Sequence, residues 1–151
     1  MTDYDYDYVF DTEPLIAYLY DEPGASTVTR CLQKIESDED AGTISHATAT
    51  EIVYKIARLE TGDPNHTSPN ETEYKAGERD LRVLRGFGLT VENPSWSTVA
   101  RIKGEGGISL GDSYAASLAV EEDATLVVGA DPEFGDLSQS IDLLRIREDP
   151  A

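Results

Sequence analysis

The chain has 151 residues, of which 39% are hydrophobic, which is enough for one domain with a sizeable core. Thirty acidic residues against 12 basic ones give a net charge of −18, which argues against a broadly basic surface for nucleic acid. The single cysteine, Cys31, excludes an internal disulfide and a cysteine-based zinc site.

Short apolar runs alternate with amphipathic stretches along almost the whole chain. In chain order the pattern predicts a strand over 6–10, a helix after Asp11, a helix over 25–36, a strand over 42–45, a helix over 48–60, a loop over 61–70, a helix over 71–85, a strand over 89–91, helices over 94–103 and 110–122, a strand over 125–129, a helical turn over 131–134 and a strand over 141–146. This alternation predicts a single α/β domain over residues 1–151, with a central parallel sheet of four to five strands flanked by helices.

Four acidic residues stand out by their positions in these elements. Asp11 and Asp131 follow predicted strands, Glu51 lies in the first turn of the predicted third helix, and Asp112 opens the late helix. In parallel sheets, sites form at the carboxyl ends of the strands. The sequence therefore favours a site built from these acids.

Each of the four also has a purely structural explanation. Thr48 to Glu51 and Ser109 to Asp112 both have capping-box spacing, in which the acid satisfies free amides at a helix start. Asp131 precedes a proline and has the pattern of an N-cap, and Asp11 could also cap a helix. Position alone leaves both interpretations open.

Four stretches of the chain resemble a known family. They are Val9–Thr12 (VFDT), Ala49–Ile52 (ATEI), Ser109–Ala116 (SLGDSYAA) and Leu126–Phe134 (LVVGADPEF). In order and spacing they resemble the PIN domain, and in particular the VapC-type toxin ribonucleases, from residue 9 to about residue 146.

The resemblance implies a parallel sheet with flanking helices and a cluster of acids that holds Mg²⁺ or Mn²⁺. By residue match, Asp11, Glu51, Asp112 and Asp131 are the implied catalytic residues and metal ligands. It also implies an endoribonuclease that acts as a toxin, with an antitoxin protein as partner and a homodimer as the usual assembly. Two positions depart from the family, which often carries hydroxyl residues where this chain has Glu13 and Gly129.

The residue types agree with that chemistry. Carboxylates suit hard cations such as Mg²⁺ and Mn²⁺ and offer little to zinc. Unpaired carboxylates brought together would raise one another's pKa, and a divalent cation removes that penalty. A metal can activate water for in-line attack on an RNA phosphodiester, so no side-chain nucleophile is needed. The sequence contains no convincing Ser-His-Asp or Cys-His arrangement.

Other candidates are weaker. Glu133 and Asp136 are nearby acids that could assist the site. The sequence favours both as residues of a solvated loop. His46 and His66 are not favoured for catalysis, and Trp96 is predicted to serve packing or an interface.

Two further function classes stay open. A PIN fold without activity could serve as a binding module, and an active one could process RNA without being a toxin. A phosphate-accepting receiver-like domain would need a late lysine after a strand, but Lys103 is the last lysine and follows no suitable strand.

The acidic charge also predicts an environment. At ~1 M salt the Debye length is about 3 Å, so the acidic groups of a surface repel one another only weakly. We therefore expect a halophilic protein whose fold is destabilised by low salt. RNA binding would then depend on metal bridges and close contacts. No apolar run approaches the roughly 20 residues of a membrane span. The first ten residues are acidic and unlike a signal peptide, so a cytoplasmic protein is expected.

Overall fold

The structure is a computed structural model that describes residues 5–63 and 68–148. In chain order the elements are β1 (Tyr8–Phe10), α1 (Thr12–Leu19), α2 (Ala25–Glu36), β2 (Gly42–Ser45), α3 (His46–Glu60), α4 (Glu71–Gly86), β3 (Thr90–Glu92), α5 (Trp96–Gly104), α6 (Leu110–Glu122), β4 (Thr125–Val128), a 3-10 helix (Pro132–Asp136) and β5 (Leu143–Arg145). Part of the predicted 61–70 loop, including His66, lies outside the described residues.

The five strands form one sheet in the order β3-β2-β1-β4-β5, and every pairing is parallel. This confirms the predicted α/β class and parallel sheet. The first strand is central, since Val9 pairs with Thr43 of β2 and with Leu126 of β4. Residues that follow β1 and β4 therefore leave the sheet side by side at the same edge.

Alternate residues of each strand face opposite sides of the sheet. Phe10 and Val127 belong to one buried cluster, which also contains residues of α1, α2, α3 and α4. Val9 and Leu126 belong to a second buried cluster, formed with α5 and α6. Both faces are thus covered by helices, as the near-continuous apolar strands require.

The third helix begins earlier than predicted. It starts at His46, and Ser45, at the end of β2, is its N-cap, with its hydroxyl accepting a 3.0 Å hydrogen bond from the Thr48 amide. The predicted capping box from Thr48 to Glu51 is therefore wrong. Glu51 lies in the second turn, where its carboxylate has no free helix-start amides to satisfy.

Several other boundaries shift by one or two residues. The predicted strand over 141–146 is shortened to Leu143–Arg145, and the predicted helix over 94–103 occupies Trp96–Gly104, after an N-cap at Ser95. Trp96 is 81% exposed, so it does not pack in the core. Within residues 5–63 and 68–148, no helix combines the length and the apolar character that crossing a membrane requires.

Candidate active site

Two of the four predicted acids follow neighbouring strands. Asp11 comes directly after β1, and its amide donates a 2.9 Å hydrogen bond to the Val127 carbonyl of β4. Asp131 lies three residues beyond the end of β4 and is the N-cap of the 3-10 helix, as its pattern before Pro132 predicted. The parallel pairing of β1 with β4 brings both residues to one edge of the sheet, as predicted.

The other two acids reach this edge from helices. Glu51 projects from α3, which begins directly after β2. Asp112 is the third residue of α6, whose N-cap Ser109 accepts a 3.1 Å hydrogen bond from the Asp112 amide. The Ser109 half of the predicted capping box is therefore present.

Three carboxylates form the tightest group. One oxygen each of Asp112, Asp131 and Glu133 lies within 4.8 Å of the others, and all three residues are half-buried. Asp131 Oδ1 also accepts a 2.9 Å hydrogen bond from the Glu133 amide, and this turn folds Glu133 back toward the group. Glu133 is therefore half-buried and not the solvated loop residue that the sequence favoured. Asp136 is exposed, as the sequence predicted.

Asp11 is the most deeply buried of the acids. Only 6% of the residue is exposed, and its Oδ1 has no hydrogen-bond partner within residues 5–63 and 68–148. It occupies the N-cap position of α1, but its side chain makes no capping hydrogen bond, so capping does not explain it. Burial, together with repulsion from Asp112 and Glu51, raises the pKa of Asp11 to about 8.

Electrostatic coupling links all five acids. Burial raises the pKa of Asp112 to about 6, and the charges of Asp131, Glu51 and Glu133 add to the rise, while the Ser109 hydroxyl opposes it. Among the described residues, no group of three or more residues with ligand atoms within 4.8 Å of one another includes Asp11 or Glu51. Both acids nevertheless interact electrostatically with Asp112 of the tightest group.

Glu51 is held by contacts on several sides. The Thr12 hydroxyl donates a 3.2 Å hydrogen bond to Glu51 Oε1. One turn further along α3, the Nζ atom of Lys55 lies 3.4 Å from Glu51 Oε2. On the side of α6, Gly111 leaves room for the carboxylate. These contacts fix the direction of an acid that the sequence could place only on a helix.

The strand β5 and the residues after it supply two arginines that the sequence analysis missed. Arg145 Nη1 donates a 2.6 Å hydrogen bond to the backbone carbonyl of Asp131. Arg147 forms an ion pair with Glu13 in the first turn of α1. No local sequence signal marks either residue, because both partners are distant in the chain.

The donor set fits a hard divalent cation. Every candidate ligand is a carboxylate, which suits Mg²⁺ or Mn²⁺. A buried carboxylate oxygen without a partner is costly unless a positive group satisfies it, and Asp11 Oδ1 is such an oxygen. His46, the histidine nearest in sequence to Glu51, is exposed at the start of α3.

Comparisons with known proteins agree with this architecture. The sequence matches the PIN domain family over residues 8–139. No curated protein sequence matches significantly.

Three solved structures have a similar fold. VapBC2 from Rickettsia felis, bound to a DNA fragment from its promoter, has a TM-score of 0.65 at 17% identity, covering 91% of this chain and 97% of that one. A protein from Pyrobaculum aerophilum has a TM-score of 0.61 at 19% identity, covering 91% and 90%. DNA-bound VapBC from Salmonella typhimurium has a TM-score of 0.61 at 16% identity, covering 94% and 99%. At these identities the likeness concerns the fold.

Proposed function

The chain belongs to the PIN domain family, and we propose that it is a metal-dependent endoribonuclease that hydrolyses RNA phosphodiester bonds. One observation carries the proposal. The Asp112, Asp131 and Glu133 carboxylates lie within 4.8 Å of one another, beside the buried and unpartnered Asp11 oxygen. Carboxylates are assembled in this way at a cost that a bound cation offsets.

We propose Asp11, Glu51, Asp112 and Asp131 as the ligand set, with Glu133 added to it. Thr12 and Lys55 orient Glu51, and the turn at Asp131 orients Glu133. A bound Mg²⁺ or Mn²⁺ would offset the repulsion between the carboxylates and would supply a Lewis acid that activates water and stabilises charge on the phosphate.

The net charge of −18 makes cation binding a condition for RNA binding. Phosphate contacts normally rest on Lys and Arg. At this edge of the sheet, Lys55 is paired with Glu51 and Arg147 with Glu13, so neither is a free cation for phosphate. We therefore expect RNA to approach the acids only when a divalent cation has reduced their negative charge.

The toxin role, an antitoxin partner and a homodimer are also part of the proposal. The VapBC complexes that share the fold support a protein partner of the antitoxin kind. Exposed apolar side chains such as Trp96 and Leu110, which are 81% and 57% exposed, are available for protein contacts. A small neighbouring gene for a DNA-binding antitoxin would distinguish a toxin from an RNA-processing enzyme.

The test is RNA cleavage with Mn²⁺ or Mg²⁺ by the wild type and by Asp11→Ala and Asp112→Ala. Loss of a ligand should exceed the 10–100-fold effect of losing a ligand's supporting partner, so we expect a decrease of more than about 100-fold. Asp136→Asn, an exposed acid of the same loop, is the matched control and should cut normally. A wild type that binds Mn²⁺ but cuts no RNA would favour the inactive binding module.

A further inference from the structure

Glu13, Gly129 and Arg147 fit together as one interlocked unit beside the acids. A Cβ atom on Gly129 would overlap the Glu13 carboxylate and lie only 2.6 Å from its Oε1. The Glu13 side chain thus fills the space that a larger residue at position 129 would need. The two departures from the family's hydroxyl residues are therefore spatially coupled.

Arg147 keeps Glu13 in this place. The Arg147 guanidinium forms an ion pair with Glu13, and its side chain is only 14% exposed. Its Nε is buried and has no hydrogen-bond partner in the part of the chain that the structure describes. Its Nη1 also donates a 3.5 Å hydrogen bond to the Pro23 carbonyl. The Glu13 carboxylate is the charge partner of this half-buried guanidinium, and a partly buried charge that loses its partner is unfavourable.

The unit joins the two segments that carry Asp11 and Asp131, namely the start of α1 and the residues after β4. Glu13 is two residues after Asp11, and Gly129 is two residues before Asp131. Residues of β5 and the segment after it contact both of these segments, since Arg145 binds the Asp131 carbonyl and Arg147 binds Glu13. Side chains that hold the loops of metal ligands commonly change metal affinity when removed.

From this geometry we infer that Glu13 and Arg147 are positioning residues, which set Asp11 against Asp131 in place of side-chain hydroxyls. The interlock stands on the contacts alone, whereas the positioning role rests on the proposed function. Glu13 and Arg147 are not part of the proposed ligand set, and their proposed role is to hold its residues in place.

The interlock is tested by a double-mutant cycle on the metal-free protein. In the wild type, Gly129→Ala should lower the melting temperature by about 3 °C or more, because the new Cβ displaces Glu13 from Arg147. In a Glu13→Ala background that overlap is absent, and Gly129→Ala should be neutral or raise the melting temperature. Equal losses in both backgrounds would overturn the interlock.

The positioning role is tested by calorimetric titration with Mn²⁺. Removing a positive charge near the acids would by itself tighten Mn²⁺ binding, so the sign of the change separates positioning from simple electrostatics. We expect Arg147→Gln to weaken binding about tenfold, Glu13→Gln to weaken it similarly, and the double variant to be no worse than either. Arg82→Gln, an exposed arginine of α4, is the charge-matched control.

Two results would overturn the positioning role. One is Arg147→Gln protein, folded by circular dichroism, that binds Mn²⁺ as tightly as the wild type or more tightly. The other is a wild type that binds no Mn²⁺, which would also refute the metal site of the proposed function. In that second case the melting-temperature cycle still decides whether the three residues interlock.

Discussion

Gly111 and Glu51 lie so close together that a Cβ atom on Gly111 would be only 2.5 Å from Glu51 Oε1. Gly111 is the second residue of α6, directly before Asp112, so the glycine lets one proposed ligand approach the helix that carries another. The need for glycine here comes from Glu51 and not from an unusual backbone angle, since Gly111 is not among the residues with positive φ.

We therefore predict that Gly111→Ala weakens Mn²⁺ binding by about tenfold while the protein stays folded. Alanine is favoured over glycine within a helix by about 1 kcal/mol, so a loss of affinity without a loss of stability would locate the effect at Glu51. Calorimetric titration measures the affinity. Gly104→Ala is the control, because a Cβ there would have no described atom within 4 Å apart from its chain neighbours and the backbone of its own helix. Equal Mn²⁺ affinities for both variants and the wild type would contradict the prediction.

The buried Asp11 carboxyl predicts a pH dependence of stability in the metal-free protein. Its pKa is raised from 3.8 to about 8, so the folded state holds a proton that the unfolded state releases near pH 4. This destabilises the fold progressively as pH rises from about 4 to 8, and the penalty is constant above that range. Each unit of pKa corresponds to about 1.4 kcal/mol, so the effect should exceed ~2 kcal/mol.

Asp11→Asn isolates this effect, because asparagine has the same shape and does not titrate. Urea unfolding in the presence of a chelator should show the variant gaining stability over the wild type as pH rises through the same window. Comparing the two proteins removes the contribution of the many other acids. A stability difference that stays constant between pH 4 and 8 would show that Asp11 titrates normally.

A divalent cation should relieve the same penalty. Mn²⁺ at 100 times its dissociation constant should stabilise the wild type by about 2.7 kcal/mol, which raises the melting temperature by roughly 5–10 °C. Chelation should reverse the shift. Asp112→Asn, which removes a charge from the tightest group, should abolish most of it, whereas a shift of the same size in this variant would place the cation elsewhere.

A substitution of Glu133 tests whether this residue belongs to the metal site. Its oxygen lies within 4.8 Å of those of Asp112 and Asp131, so Glu133→Gln should weaken Mn²⁺ binding by about tenfold or more. Asp136→Asn removes the same charge from an exposed position three residues later and should have little effect. If both variants weaken binding equally, the loop acts only through its overall charge.

The sequence predicted those parts of the fold that depend on local periodicity. Apolar spacing placed the helices over 25–36 and 110–122 at their observed bounds, and the alternation of strands and helices indicated the parallel sheet. The start of the third helix was misplaced because Ser45 and Thr48 are both good N-caps, and the end of β2 decides between them.

The candidate site was predictable to the extent that its acids follow strands or begin helices. The place of Glu133 was not, because it depends on the tight turn in which its own amide bonds to Asp131. The pairing of Glu13 with Arg147 joins residues 134 positions apart, and no pattern within either segment indicates it. Such contacts arise only when β5 has joined the sheet beside β4.

Surface charge predicts a dependence on salt. The net charge is −18, so the surface acids repel one another. The Debye length that screens this repulsion is about 10 Å at 0.1 M salt and about 3 Å at 1 M. We expect the melting temperature to rise from low to multimolar KCl, as for a halophilic protein. Differential scanning calorimetry over that range measures it.

A double variant, Glu36→Gln/Glu39→Gln, separates charge repulsion from the general effect of salt on apolar burial. Both residues are exposed near the carboxyl end of α2, where the helix dipole also disfavours negative charge. The variant should melt higher than the wild type at low salt and at the same temperature in multimolar salt, because screening removes the repulsion that the substitutions relieve. Two results would show that repulsion between surface acids does not govern stability. One is a higher melting temperature of the variant that persists in multimolar salt, and the other is a wild-type melting temperature that does not change with KCl.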